Sequence, residues 1–113
     1  MNKKMKVVNV KYETCTHYCG RKESYRGNGV DMSILGNPFK VKPWGEYERD
    51  ESIARHRVWL NKQRLDQTEV WDALVSLPED AVLGCFCKPE ACHCDTIIDA
   101  WKYTKQENSS INN

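Results

Sequence analysis

A chain of 113 residues holds one compact domain around one hydrophobic core and is too short for two domains of ordinary size. Its 17 basic and 16 acidic side chains nearly cancel, so bulk charge compels neither a nucleic-acid nor a membrane partner. The opening lysines precede an apolar run too short and too interrupted for a signal-peptide core, so a cytoplasmic location is expected; in that reducing setting close-spaced cysteines act as metal ligands, reactive thiols or buried hydrophobes rather than as disulfides.

In chain order, Lys4 to Tyr12 sets Val8, Val10 and Tyr12 on one face and Met5 and Val7 on the other, the pattern of a strand covered on both sides. The stretch from Thr14 to Trp44 is broken by Gly20, Gly27, Gly29, Gly36, Pro38 and Pro43 and is expected to be irregular. So long an irregular segment in a small domain is a place to look for function. Asp50 caps an expected helix through about Leu65, with Ile53, Val58 and Leu60 supplying apolar contacts. Thr68 opens a second helix whose Val70, Trp71, Leu74 and Val75 form a stripe that Pro78 ends. Ala81 to Cys87 reads as a short interior strand between "PED" and "KPE". A last helix starts at Cys92 or Asp95 and turns Ile97, Ile98 and Trp101 inward. The expected architecture is one α/β domain over residues 1–105, with a mixed or partly parallel sheet flanked by helices and a disordered polar tail over 106–113.

The chemistry concentrates in "LGCFCKPEACHCDTIIDAW", which holds four of the six cysteines and one of the three histidines. Cys85 and Cys87 are two apart and share a strand face, while Cys92 and His93 follow a Pro-containing turn. Three readings stand. Cys85, Cys87, Cys92 and His93 would offer three thiolates and an imidazole to a tetrahedral zinc ion. Alternatively, Cys92 or His93 is a nucleophile, acid/base group or ligand contact at a helix N-terminus that attracts anions, with Asp95 orienting in the first turn. Finally, the cysteines pack as core residues and Asp95 caps the helix. Cys94 alternates away from its neighbours and reads as plain surface or core, and Cys15 and Cys19 read as ordinary small residues that join a metal site only where the fold brings them near.

Two loops complete the set. Gly20 allows a sharp turn after a short strand and leaves Arg21 to meet an anion. Gly36, Asn37 and Pro38 are turn chemistry, and Phe39 either plugs into the core or stacks on a planar ligand. Taken in order, Val7-Val8-Asn9, Gly20-Arg21, Gly36-Asn37-Pro38-Phe39, a charged helix and then Cys85, Cys87, Pro89, Cys92, His93 and Asp95 resemble the DUF4326 family of bacteria and phages, over about Val7 to Ala100. The resemblance implies that the glycine loops and the cysteine segment form one site; it carries no activity with it, and Cys15, Cys19 and Cys94 fall outside its pattern. A phage origin would suit a protein that acts on a nucleotide-type molecule.

The leading expectation is therefore an anionic small-molecule partner, phosphate-bearing and of nucleotide type, held by Gly20, Arg21 and the Gly36 to Phe39 turn against the start of the last helix. The alternative is a zinc-stabilised module that contacts a protein or nucleic acid without catalysis. Its support is the Arg- and Lys-rich helix, whose basic residues are interleaved with acids as on a solvated face.

Overall fold

The structure, a computed structural model, describes residues 5–43, 45–86, 90 and 92–112, with side chains described up to residue 105. Cys87 and Pro89, both singled out in the sequence, lie outside the described residues. Four short strands, β1 (Lys6–Asn9), β2 (His17–Tyr18), β3 (Val30–Asp31) and β4 (Val82–Cys85), form one sheet in the order β1-β4-β2-β3. Every pairing is parallel. The segment from 14 to 44 thus contributes two strands of two residues each, too short for any periodicity to announce.

The first strand is shorter than its pattern because Asn9 ends it. Its Oδ1 accepts the Lys11 N–H at 2.9 Å and its carbonyl accepts the Tyr12 and Glu13 amides, so the backbone turns before Tyr12, which is 81% exposed. Within β1 the two faces divide as expected: Val7 packs against the main core and Val8 against a smaller cluster on the other face. The same alternation on β4 turns Leu83 and Cys85 toward the main core.

Three helices cover that main face: α1 (Arg49–Asp66), α2 (Glu69–Val75) and α3 (His93–Asn112), the last running on through the polar tail. Leu60, Leu74, Leu77 and Ile97 meet Leu83 beneath them. Thr68 is the N-cap of α2, whereas α1 is capped by Glu48, with Asp50 in the first turn. The buried stripe of α1 is Ser52, His56 and Leu60, spaced four apart, while Val58 is 71% exposed. The helix forms where expected, but two of its three buried positions are polar. On the opposite face of the sheet, Cys15, Tyr18, Val10 and Tyr25 from the first loops close over Val8 and Val82. Among the described residues no helix is long and apolar enough to cross a membrane.

Candidate functional site

Parallel strands end together, and this sheet places the ends of β1, β4 and β2 beside the N-terminus of α3. At the end of β2, Tyr18 donates its hydroxyl proton to the Arg21 carbonyl at 2.6 Å, folding the chain back over Gly20. A Cβ on Gly20 would lie 2.5 Å from that hydroxyl oxygen, so glycine is required by close approach rather than by unusual backbone angles. Gly36 has the same kind of role. A Cβ there would meet the Ser33 carbonyl at 2.9 Å and the Gly20 carbonyl at 3.0 Å, and its absence lets the 36–39 turn press against the Gly20 corner.

The turn itself is built by Asn37, whose Oδ1 accepts the Phe39 N–H at 2.9 Å while its Nδ2 donates to Ser52 Oγ at 2.6 Å. Ser52 in turn donates to the Phe39 carbonyl. The first turn of α1 and the Asn37 loop are thereby locked into one wall. Pro38 is exposed and, like Gly36, shapes the turn without lining the cavity behind it.

At the head of α3, Cys92 is the residue before the first helical turn. Its Sγ accepts the Cys94 N–H at 3.5 Å, and its own N–H donates to Asp95 Oδ2 at 3.3 Å. This reciprocal pair is a capping box with sulfur in the place usually held by a hydroxyl. Asp95 accordingly serves as a cap; it satisfies the helix terminus and is not among the residues that line the cavity. His93 is buried and donates Nε2–H to the Cys19 carbonyl at 2.7 Å, which turns Nδ1 toward Cys92 Sγ at 3.6 Å. Burial works against charge on this ring, but its contacts with Cys92 and the Cys19 carbonyl prevail and raise its pKa to about 9.

The sulfurs converge. Cys92 Sγ lies 3.0 Å from Cys85 Sγ, and the sulfurs of Cys85, Cys92 and Cys94 all lie within 4.8 Å of one another. Cys94, set aside in the sequence because it alternates away from its neighbours, is fully buried in this cluster; Cys19 is also fully buried but stands outside that group of three. Contacts with Cys19, Cys85 and Cys92, together with burial, push the Cys94 thiol well above its ordinary pKa, because adjoining buried sulfurs cannot all carry charge unaided. Cys15 packs instead on the other face of the sheet, donating to the Asn28 carbonyl at 3.3 Å. Among the described residues three cysteines are thus near enough to hold one metal ion; Cys94 is one of them and His93 is not, while Cys87 lies outside the described residues.

Between the glycine loops, α1 and the head of α3 lies a cavity of about 500 Å³. Gly20, Arg21, Asn37 and Phe39 line one side, and Cys85, Cys92 and His93 another. Sequence reasoning missed three more cations in this lining, Lys11, Lys40 and Arg49, against one acid, Glu90, among the described residues. Lys11 is carried there by the Asn9 turn and Lys40 by its place beside Phe39, signals too local to separate from the many other lysines. Four basic groups around one cavity in a chain of net charge +1 are a concentrated local potential, unreadable from the composition.

The domain of unknown function DUF4326 matches residues 2–103, most of the chain. The chain belongs to that family. No curated protein and no solved structure matches it. In this DUF4326 domain seven of the residues on which the resemblance rested, Gly20, Arg21, Asn37, Phe39, Cys85, Cys92 and His93, line a single cavity.

Proposed function

We propose that this DUF4326 domain binds a phosphate-bearing small molecule of nucleotide type in the cavity between the glycine loops and the head of α3. The observation that carries the reading is the lining: Arg21, Lys11, Lys40 and Arg49 stand around a space of about 500 Å³, a volume suited to a nucleotide-sized ligand. Anion recognition needs donors already gathered where the charge will sit, and a guanidinium adds paired donors that a lone lysine does not. Phe39 and Phe86 offer apolar surface in the same lining for a planar base. Cys92 and His93 stand against the space a ligand would fill, so a thiolate paired with an imidazole is the group that would perform any covalent or acid/base step. Titration calorimetry with a panel of nucleotides and inorganic phosphate tests this reading. Wild type is expected to bind, with affinity falling roughly tenfold or more in Arg21→Ala, the loss typical of a charged hydrogen bond. Unchanged affinity in that variant, or no binding across the panel, would overturn it.

One observation favours a second reading, in which zinc stabilises the domain: the mutual approach of the Cys85, Cys92 and Cys94 sulfurs. Its extension to a nucleic-acid or protein contact through α1 draws less support. Arg55 pairs with Glu51, Arg57 with Asp99 and Lys62 with Asp66, so much of that helix's positive charge is already matched. A cytoplasmic location fits both readings.

A further inference from the structure

We infer that Cys19, Cys85, Cys92 and Cys94 form a four-sulfur site for one tetrahedral divalent cation of the zinc class, beneath the floor of the basic cavity. This ligand set rests on the zinc reading above; it commits Cys92 to the metal, whereas phosphate binding by Lys11, Arg21, Lys40 and Arg49 does not depend on it.

The backbone supplies the convergence. Tyr18 pairs with Gly84 in adjacent parallel strands, and the Cys19 N–H donates to the Gly84 carbonyl at 2.9 Å, so Cys19 and Cys85 occupy neighbouring positions just past that pair. Both belong to the core on the helical side of the sheet. Cys92 and Cys94 arrive from the other direction, at the cap and in the first turn of α3. All four are 1% exposed or less. Zinc–sulfur bonds of about 2.3 Å in a tetrahedron hold sulfurs about 3.8 Å apart. The present spacing, 3.0 Å for one pair and within 4.8 Å for Cys85, Cys92 and Cys94, brackets that value; Cys19 stands outside that group of three and would complete the tetrahedron by turning its side chain inward. Cys19 stands beside Cys85 by strand register, and its thiol makes a long contact of 3.8 Å to the His17 carbonyl, which a metal bond could replace.

His93 belongs around this set rather than in it. Its Nε2–H is committed to the Cys19 carbonyl at 2.7 Å, and Nδ1 faces Cys92 Sγ rather than the centre of the cluster. The Cys94 N–H, donated to Cys92 Sγ, offsets part of the excess negative charge that four thiolates leave around a divalent ion. The consequence for the fold is specific. Cys19 immediately precedes Gly20 and Arg21, so the ion would tie the arginine loop to the head of α3.

The test is metal content and ligand count on the intact chain, purified under reducing conditions and refilled with zinc. About one equivalent of zinc is expected by elemental analysis, with X-ray absorption showing four sulfur neighbours at zinc–sulfur distances. Cys19→Ser and Cys94→Ser should each lose the metal at concentrations where wild type is saturated, while Cys15→Ser, on the other face of the sheet, keeps it. Serine in the buried cluster also costs stability, so the sulfur count on the unmutated protein decides independently of the variants. Failure to bind an equivalent of zinc would overturn this site and the zinc reading together. Zinc retained in folded Cys19→Ser, or a shell of three sulfurs and one nitrogen, would overturn the four-sulfur set while leaving the zinc reading in place.

Discussion

His56 does more structural work than any motif in the chain advertises. Its ring is fully buried, donating Nε2–H to the Leu35 carbonyl at 3.1 Å and meeting Thr96 Oγ1 with Nδ1 at 2.6 Å. Those two contacts join α1 to the Ser33–Leu35 turn and to α3, across sequence separations of 21 and 40 residues. Burial and the neighbouring His93 press the His56 pKa down to about 3. Because that value lies below the 6.5 of an unfolded histidine, the stabilisation is complete above about pH 6.5. It is lost as pH falls toward 3, where the unfolded chain takes up a proton that the folded one refuses. Urea unfolding between pH 4 and 8 should show stability falling by a few kcal/mol toward the acid end. In His56→Gln the fall should be shallower by up to one proton's worth of slope. Equal slopes in the two proteins would show that His56 is not the group responsible.

At the scale of elements, α3 depends on its first turn. Asp95 satisfies the Cys92 N–H, and its charge suits the positive end of the helix. Asp95→Ala should therefore cost about 1 kcal/mol, or a fall of roughly 3–6 °C in Tm, by calorimetry. Nucleotide affinity should stay within about twofold, since Asp95 stands outside the cavity lining. A large loss of affinity at unchanged Tm would return Asp95 to the ligand. The same turn explains why Cys94 escaped notice in the sequence. Alternation is a property of strands, and residues 93 and 94 already follow the helical rotation, which wraps Cys94 back onto the sulfur of Cys92. On α1 the error ran the other way: apolar Val58 was taken for a core contact, whereas polar Ser52 and His56 hold the buried positions because each finds a partner.

Across the whole molecule, the cavity exists because two loops far apart in sequence touch at glycines. Gly36→Ala would drive a Cβ into the Ser33 and Gly20 carbonyl oxygens, backbone atoms with little room to yield. A loss of about 1–3 kcal/mol is expected, with nucleotide affinity falling as well because the Asn37 wall shifts from the Arg21 corner. Denaturant midpoints and calorimetry on the same preparation check both; an alanine tolerated without change in either would show that the loops are not wedged together there.

The sequence by itself determined the order of the main elements, the two-faced first strand and the α/β class; that Gly20, Arg21, Asn37, Phe39, Cys85, Cys92 and His93 belong to a common set was implied only by the family resemblance. Turn residues, capping residues and hydrophobic period act over a few positions and are written locally. Tertiary structure decided what lies across the chain. It fixed the all-parallel pairing of the two-residue strands, the gathering of Lys11, Lys40 and Arg49 around one cavity, and the convergence of Cys85, Cys92 and Cys94. Each of these depends on strand register and on backbone close approach between distant segments, quantities that no local pattern encodes.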